Sequence, residues 1–170
     1  RYRRAFPEAE NDPYFLLRFG ESHYRDGNFL RARVLFSKVT TLPNAGELVE
    51  LALYYRAISN LDIPIDEATT KALDTLDELI QRAGPLASRA RLTKARTQVD
   101  LGRAEECLET LAGIPGDPGD QPEAALLAAR AYRDLSAGDS QIAEKAVSIY
   151  RRLLADPRTS YQLSNQIHYL

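Results

Sequence analysis

One spacing of small and large apolar residues occurs twice in this chain. In the first copy, successive positions are seven, five, four and three residues apart, at Gly20, Gly27, Ala32, Phe36 and Val39. The same four intervals recur at Ala95, Gly102, Cys107, Leu111 and Ile114. Glycine readily ends a helix, and apolar residues three or four apart share one helix face. Each copy therefore predicts two helices joined at a glycine, the second with a small residue on its inner face.

Two further stretches repeat this arrangement with a longer interval. From Asp62 to Ala72, and from Ser136 to Ala146, the distance is ten residues. We attribute the difference to an extra helical turn and a longer link, because one apolar face continues through the first of these stretches. That face consists of Ala68, Ala72, Leu76, Leu79 and Ile80. The four turn positions are then 35, 40 and 34 residues apart, which is typical of helical-repeat proteins.

The stretch FGESHYRDGNFLRARVLFSKVTTLPN at 19–44 resembles a tetratricopeptide repeat (TPR), a unit of about 34 residues that forms two antiparallel helices. The resemblance extends over 13–157. It implies an all-α fold, a right-handed α-α superhelix (solenoid) of four TPR-like helix pairs plus a C-terminal helix. Three positions depart from the family. Tyr55 stands where the family usually has glycine or alanine, and Arg91 and Lys94 stand where it buries apolar side chains.

The predicted units are 13–44, 45–83, 84–119 and 120–157. Residues 1–12 form an N-terminal extension, and 158–170 form a capping helix or open a fifth unit. Asp12 before Pro13 predicts the start of the first helix, because aspartate accepts bonds from free helix amides and proline needs no donor there. Prolines at 43, 85 and 157 predict helix ends.

Composition argues against several classes of protein. A net charge of −2 with mixed signs argues against a nucleic-acid partner. Apolar runs of only a few residues, such as ALLAA at 124–128, predict no insertion into a membrane. The single cysteine, Cys107, is expected to be buried and unreactive. Since methionine is absent even at position 1, we expect a fragment of a larger protein or a processed form. We expect it to be soluble and of bacterial type, and the sequence does not decide between cytoplasm and periplasm.

No group of residues predicts catalysis, a cofactor or a metal site. His23 and His168 are far apart, and neither has a second histidine or cysteine at ligand spacing. GIPGDPGDQP at 113–122 lacks the alternating oxygen ligands of a calcium loop, and GNFLRARVLF at 27–36 lacks a phosphate-loop pattern. We therefore expect a protein that is not an enzyme.

Aligning the units by their turns predicts two rows on the first helices, which line the concave side in this family. The apolar row is Leu17, Ala52, Leu92 and Leu126, and the row four residues later is Glu21, Arg56, Arg96 and Arg130. Tyr24 and Arg133 are assigned to the same groove. Guanidinium groups bind carboxylates through paired bonds, so the rows predict a protein or peptide partner with an amphipathic, partly acidic segment. Glu21 replaces a member of the family's carboxylate clamp, which argues against chaperone-tail binding.

Three alternatives remain open at this point. The arginines pair with carboxylates of neighbouring helices, such as Asp100 or Asp134, and are structural. The chain is an assembly module of a larger secretion, envelope or signalling complex and docks through its ends. The chain is an RNA-binding helical repeat, although its net charge and acidic groove residues disfavour this. The oligomeric state is not predicted.

Overall fold

The computed structural model describes residues 11–116 and 121–157. These ranges contain eight α-helices and no strand, which confirms the all-α fold class. The helices are α1 (Pro13–Arg25), α2 (Phe29–Thr41), α3 (Leu48–Leu61), α4 (Asp66–Arg82), α5 (Ala87–Asp100), α6 (Ala104–Ala112), α7 (Pro122–Leu135) and α8 (Ser140–Ala155). The predicted cap over 158–170 lies outside the described residues, as does the predicted extension up to residue 10.

Residue contacts divide the chain into two compact units, one ending at Ala90 and the other beginning at Arg91. In the first unit, α1 packs on α2, α2 on α3 and α3 on α4. In the second, α6 packs on α7 and α7 on α8. Helices that follow one another in sequence therefore pack side by side within each unit, as short links favour.

The first unit is built around the contact between Gly20 on α1 and Phe36 on α2. Phe36 is fully buried, and a Cβ atom placed on Gly20 would lie 2.6 Å from its Cε1 atom. Only glycine leaves room for the ring at this distance. The surrounding core consists of Leu16, Leu17, Ala32, Leu35, Val39, Ala45 and Ala52. The start of α1 agrees with the sequence prediction, because Asp12 Oδ1 accepts a hydrogen bond from the Tyr14 amide at 2.9 Å.

Tyr55 on α3 packs on the core of the first helix pair. Its ring stacks on Phe36, with the ring centroids 5.2 Å apart and the planes inclined by 17°. Tyr55 thus packs on the preceding helix α2 and extends the core around Phe36. The contact between α3 and α4 depends instead on a second cluster, formed by Leu53, Tyr54, Ala57, Leu76, Leu79 and Ala90.

The second unit has its own core, in which Cys107 is fully buried. Its other members are Ala95, Val99, Ala104, Leu111, Ile114, Ala124, Leu127 and Ala131. The predicted burial of Cys107 is confirmed, and burial raises the pKa of its thiol to about 11. The thiol is therefore protonated at neutral pH, which disfavours reaction as a thiolate. Its low reactivity stays a prediction.

The two copies of the sequence pattern form the same turn. Gly27 has a φ of 74° and Gly102 a φ of 73°, a left-handed conformation that favours glycine. The Gly27 amide donates to the Tyr24 carbonyl at 3.0 Å, and the Gly102 amide donates to the Val99 carbonyl at 2.9 Å. In each copy the next amide also donates to a carbonyl five residues back, at 2.8 Å. The local geometry of α1–α2 thus recurs at the junction of α5 and α6.

Candidate functional site

The predicted apolar row lies mostly inside the two cores. Leu17, Ala52 and Leu126 are at most 5% exposed, and Leu92 is half-buried against the core of the second unit. Their assignment to an exposed groove is therefore wrong for the first three. The physical reason is that these residues form the inner apolar faces of α1, α3 and α7, which pack on neighbouring helices.

The predicted arginines are all paired with polar side chains of the chain itself. Arg56 Nη2 donates to Thr75 Oγ1 at 3.2 Å and lies 3.4 Å from Glu78 Oε2, both on α4. In the second unit, Arg130 Nη2 donates to Asp100 Oδ1 at 2.8 Å.

Two further arginines of the second unit are also paired. Arg96 on α5 pairs with Glu123 on α7. Arg133 donates two bonds to its sequence neighbour Asp134, at 3.0 and 2.9 Å. Arg96 and Arg130 thus join α5 to α7. Both pair with a carboxylate of another helix, as the structural alternative predicted.

Arg56 points to α4, whereas the sequence alignment of the units by their turns placed it in the groove. That alignment is wrong by one residue in α3. The hydrogen bond from the Gly27 amide to the Tyr24 carbonyl has its counterpart in the bond from the Ile63 amide to the Asn60 carbonyl, at 3.1 Å. Ile63, and not Asp62, therefore corresponds to Gly27. One residue corresponds to a rotation of about 100° around a helix. Counted from Ile63, Arg56 occupies the position of Gly20 and faces the second helix of its pair. Arg56 is therefore removed from the predicted column of arginines.

Glu21 and Tyr24 of α1 both form bonds within the first unit. Glu21 is buried, and its Oε2 atom accepts a bond from Arg18 Nη1 at 2.9 Å. Tyr24 Oη donates to Asp62 Oδ2 at 2.6 Å and so links α1 to the end of α3. Burial, followed by the bond to Asp62, raises the pKa of Tyr24 above its ordinary value. Tyr24 thus supports packing between helices, and Glu21 is buried and paired within α1.

An exposed apolar cleft between α1 and α2 was missed by the sequence analysis. We call it the first-pair face. It has a volume of about 600 Å³ and is lined by Phe19, His23, Leu30, Arg31, Val34 and Leu35. Leu30 is 56% exposed and Val34 62%, although both are large aliphatic residues. The sequence signal was present, because these two residues are four apart on α2 while Ala32 and Phe36 face its core.

The first-pair face contains one arginine, Arg31, beside its apolar residues. Helix α2 has three basic residues, Arg31, Arg33 and Lys38, and no acidic one. Arg31 is exposed and forms no hydrogen bond or ion pair within residues 11–116 and 121–157. The only acidic residue of α1 is the buried Glu21. An anionic group that approached this cleft would meet Arg31 without competition from a carboxylate of either helix.

A second cleft, of about 390 Å³, is polar. Arg33, Ser37, Arg56, Asn60, Lys71, Asp74 and Thr75 line it. Its cations have partners inside the molecule: Arg33 Nη1 donates to Asn60 Oδ1 at 3.3 Å, and Lys71 Nζ donates to Glu67 Oε1 at 2.6 Å. The Arg33 bond joins α2 to α3, and the bond from Arg56 to Thr75 joins α3 to α4, so the polar cleft is best explained by packing of the first unit.

Other kinds of site find no support in the described parts of the chain. No group of three or more histidine, cysteine, aspartate or glutamate side chains is placed there to hold a metal ion. No helix in the same ranges is both long and apolar enough to cross a membrane. No protein-family model matches the sequence, and comparison with curated proteins gave no match. Function is therefore inferred from the repeated turn, the arginine pairs and the first-pair face.

Proposed function

We propose that this chain is a non-catalytic scaffold for protein–protein interaction, of the TPR type. In this proposal its helix pairs stack into a right-handed solenoid and bind an amphipathic, partly acidic segment of a partner. The observation that carries the proposal is the turn shared by Gly27 and Gly102. Equal φ angles and equal hydrogen bonds at positions 75 residues apart are what a repeated helix–turn–helix unit requires.

A repeated helix pair suits binding better than catalysis. Each pair contacts only its neighbours, so an array of pairs presents a long surface to a partner. Catalysis needs an acid, base or nucleophile held in a pocket. Cys107, the single cysteine, is buried in the core of the second unit with a raised pKa, and the first-pair face contains one histidine and no carboxylate.

The arginine pairs support a partner that carries carboxylates. Arg96 and Arg130 already bind carboxylates, so their positions suit such groups. Their present partners are exposed, with the side chains of Glu123 and Asp100 accessible to 47% and 55%. Surface ion pairs of this kind contribute about 0–1 kcal/mol. A partner segment with several acidic residues can therefore displace them at small cost.

Replacing either arginine tests this part of the proposal. The ligand is a synthetic helical peptide with glutamates beside a leucine stripe. We expect Arg96→Ala or Arg130→Ala to lower the affinity for this peptide about tenfold, because a charge-assisted bond contributes roughly 1.5–3 kcal/mol. The melting temperature should fall by about 4 °C or less, as for loss of a surface ion pair. Affinity is measured by titration calorimetry at about 0.05 and 0.5 M salt, and the arginine contribution should shrink at high salt.

Arg151→Ala is the matched control, because Arg151 is exposed on α8 and its Nη1 atom lies 3.7 Å from Glu144. It should leave peptide affinity unchanged. Unchanged affinity in the Arg96 and Arg130 variants, together with a large loss of melting temperature, would show that these arginines are structural only.

A second candidate function is favoured by the exposed first-pair face. As an assembly module of a larger complex, the chain would dock through the helices that carry this face. Such a module contacts a folded subunit, whereas a scaffold binds a single segment. A partner that binds as an isolated peptide supports the scaffold, and a partner that binds only as a folded domain supports the assembly module.

A further inference from the structure

We propose that the first-pair face docks an acidic amphipathic helix of a partner protein, with its apolar stripe in the cleft between α1 and α2 and a carboxylate on Arg31. This rests on the proposed function for the class of partner, and it adds a docking place for such a partner within the first unit. The predicted apolar row cannot serve this purpose, because Leu17, Ala52 and Leu126 are buried.

Helix α1 is apolar on two separate faces. Leu16, Leu17 and Gly20 face the core, whereas Phe15 and Phe19 continue along another side towards His23. The Phe15 and Phe19 rings stack with centroids 5.8 Å apart, and the Phe19 and His23 rings are 4.6 Å apart. A helix on the surface of a globular protein typically has one apolar stripe. Phe19, which is 39% exposed, therefore leaves apolar surface that α1 and α2 do not cover for each other.

The shape of the first-pair face fits a helix. Leu35 is buried and forms its floor, Phe19 is 39% exposed, and Leu30 and Val34 stand along α2. A cleft of about 600 Å³ accepts several aliphatic side chains. An amphipathic helix presents such side chains at positions i, i+3, i+4 and i+7, which is how helices bind in grooves between helices. A membrane surface fits less well, because apolar residues that insert into lipid protrude, whereas these surround a depression.

Charge selects an acidic partner. The described residues that line the cleft include one arginine, Arg31, and no carboxylate. Arg31 lines the cleft and has no partner within the described ranges, so its guanidinium group is free to bind a carboxylate. A basic helix would gain no such bond and would be repelled. Charge complementarity of this kind decides between partners more than it sets affinity.

The test is a fluorescence titration with a synthetic peptide of about 18 residues that has a leucine stripe, flanking glutamates and one tryptophan. The chain has no tryptophan, so the emission comes from the peptide alone. We expect Val34→Asp to weaken binding at least tenfold, because the new carboxylate lies in the apolar cleft. Val147→Asp is the matched control, since Val147 is an exposed valine on α8, and it should bind like the unmodified chain.

Reversing the charge gives a second, independent readout. Arg31→Glu should lower the affinity for the glutamate peptide and raise the affinity for a peptide in which lysines replace the glutamates. This exchange of preference cannot result from partial unfolding, because partial unfolding would lower the affinity for both peptides. Val34 and Arg31 are exposed, so both variants should keep the helical circular dichroism and melting temperature of the unmodified chain.

Several results would overturn the inference. If the glutamate peptide does not bind the unmodified chain, the first-pair face does not take acidic helices. If Arg96→Ala lowers the affinity for the glutamate peptide and Val34→Asp does not, the proposed function stands and the first-pair face is not the docking place. If anionic vesicles bind and the peptide does not, the face recognises a membrane. If the chain dimerises in light scattering and Val34→Asp abolishes the dimer, the occupant is a second copy.

Discussion

Replacing Phe36 with alanine is expected to lower the free energy of unfolding by about 3–5 kcal/mol, a large share of the stability of a domain of this size. The ring is fully buried, fills the space above Gly20 and stacks on Tyr55. Its removal leaves a cavity that glycine cannot fill, since Gly20 has no side chain. Urea unfolding followed by circular dichroism measures the loss.

Phe19→Ala is the matched control for Phe36→Ala. Phe19 lies on the same helix as Gly20 but is 39% exposed on the first-pair face, so its removal should cost about 1 kcal/mol or less. If the two variants lose similar amounts of stability, Phe36 is not the centre of the first core, and the contact between α1 and α2 has been misjudged.

Replacing Gly20 with valine is expected to destabilise the chain by about 1–3 kcal/mol through overpacking. Helix propensity alone predicts the opposite sign, because valine is a better helix former than glycine by a few tenths of a kcal/mol. The clash decides the outcome, since a Cβ atom at Gly20 would lie 2.6 Å from a ring that is itself held by Tyr55. Thermal and urea unfolding of the variant give the sign directly.

A double-mutant cycle identifies the cause. In the presence of Phe36→Leu, which removes part of the ring volume, Gly20→Val should cost clearly less, with a coupling of about 1 kcal/mol or more. Ser22→Val, at an exposed position of α1, should change stability by about 0.5 kcal/mol or less. Stabilisation by Gly20→Val would mean that propensity outweighs the contact with Phe36.

The parts of the fold that depend on local chemistry could be predicted from the sequence. Gly27 and Gly102 mark turns that need a positive φ, and the two turns form as the shared spacing predicts. The Asp12–Pro13 start of α1 also follows from local bonds. The junction between α3 and α4 contains no such glycine, and Asp62 has an ordinary φ of −80°. The alignment there slipped by one residue, which displaced Arg56 from the predicted column.

The candidate site was harder to predict because exposure depends on packing between helices. A leucine such as Leu17 and a leucine such as Leu30 look alike in a sequence, yet one is 2% exposed and the other 56%. The pattern of α2 contained the distinction, since Leu30 and Val34 are out of phase with Ala32 and Phe36. It was overlooked because the groove was inferred from the first helices alone. Pairing of Arg130 with Asp100 was foreseen as an alternative and is observed.

The central claim is that this chain binds an acidic amphipathic segment through defined residues. Two-dimensional amide NMR of isotope-labelled protein, recorded while the glutamate peptide is added, tests it most directly. The account predicts that the largest shift changes occur on α1 and α2, at Phe19, His23, Leu30 and Val34, with further changes around Arg96 and Arg130, and that the lysine peptide leaves these signals in place. A spectrum that the glutamate peptide does not change at about millimolar concentration would contradict the account.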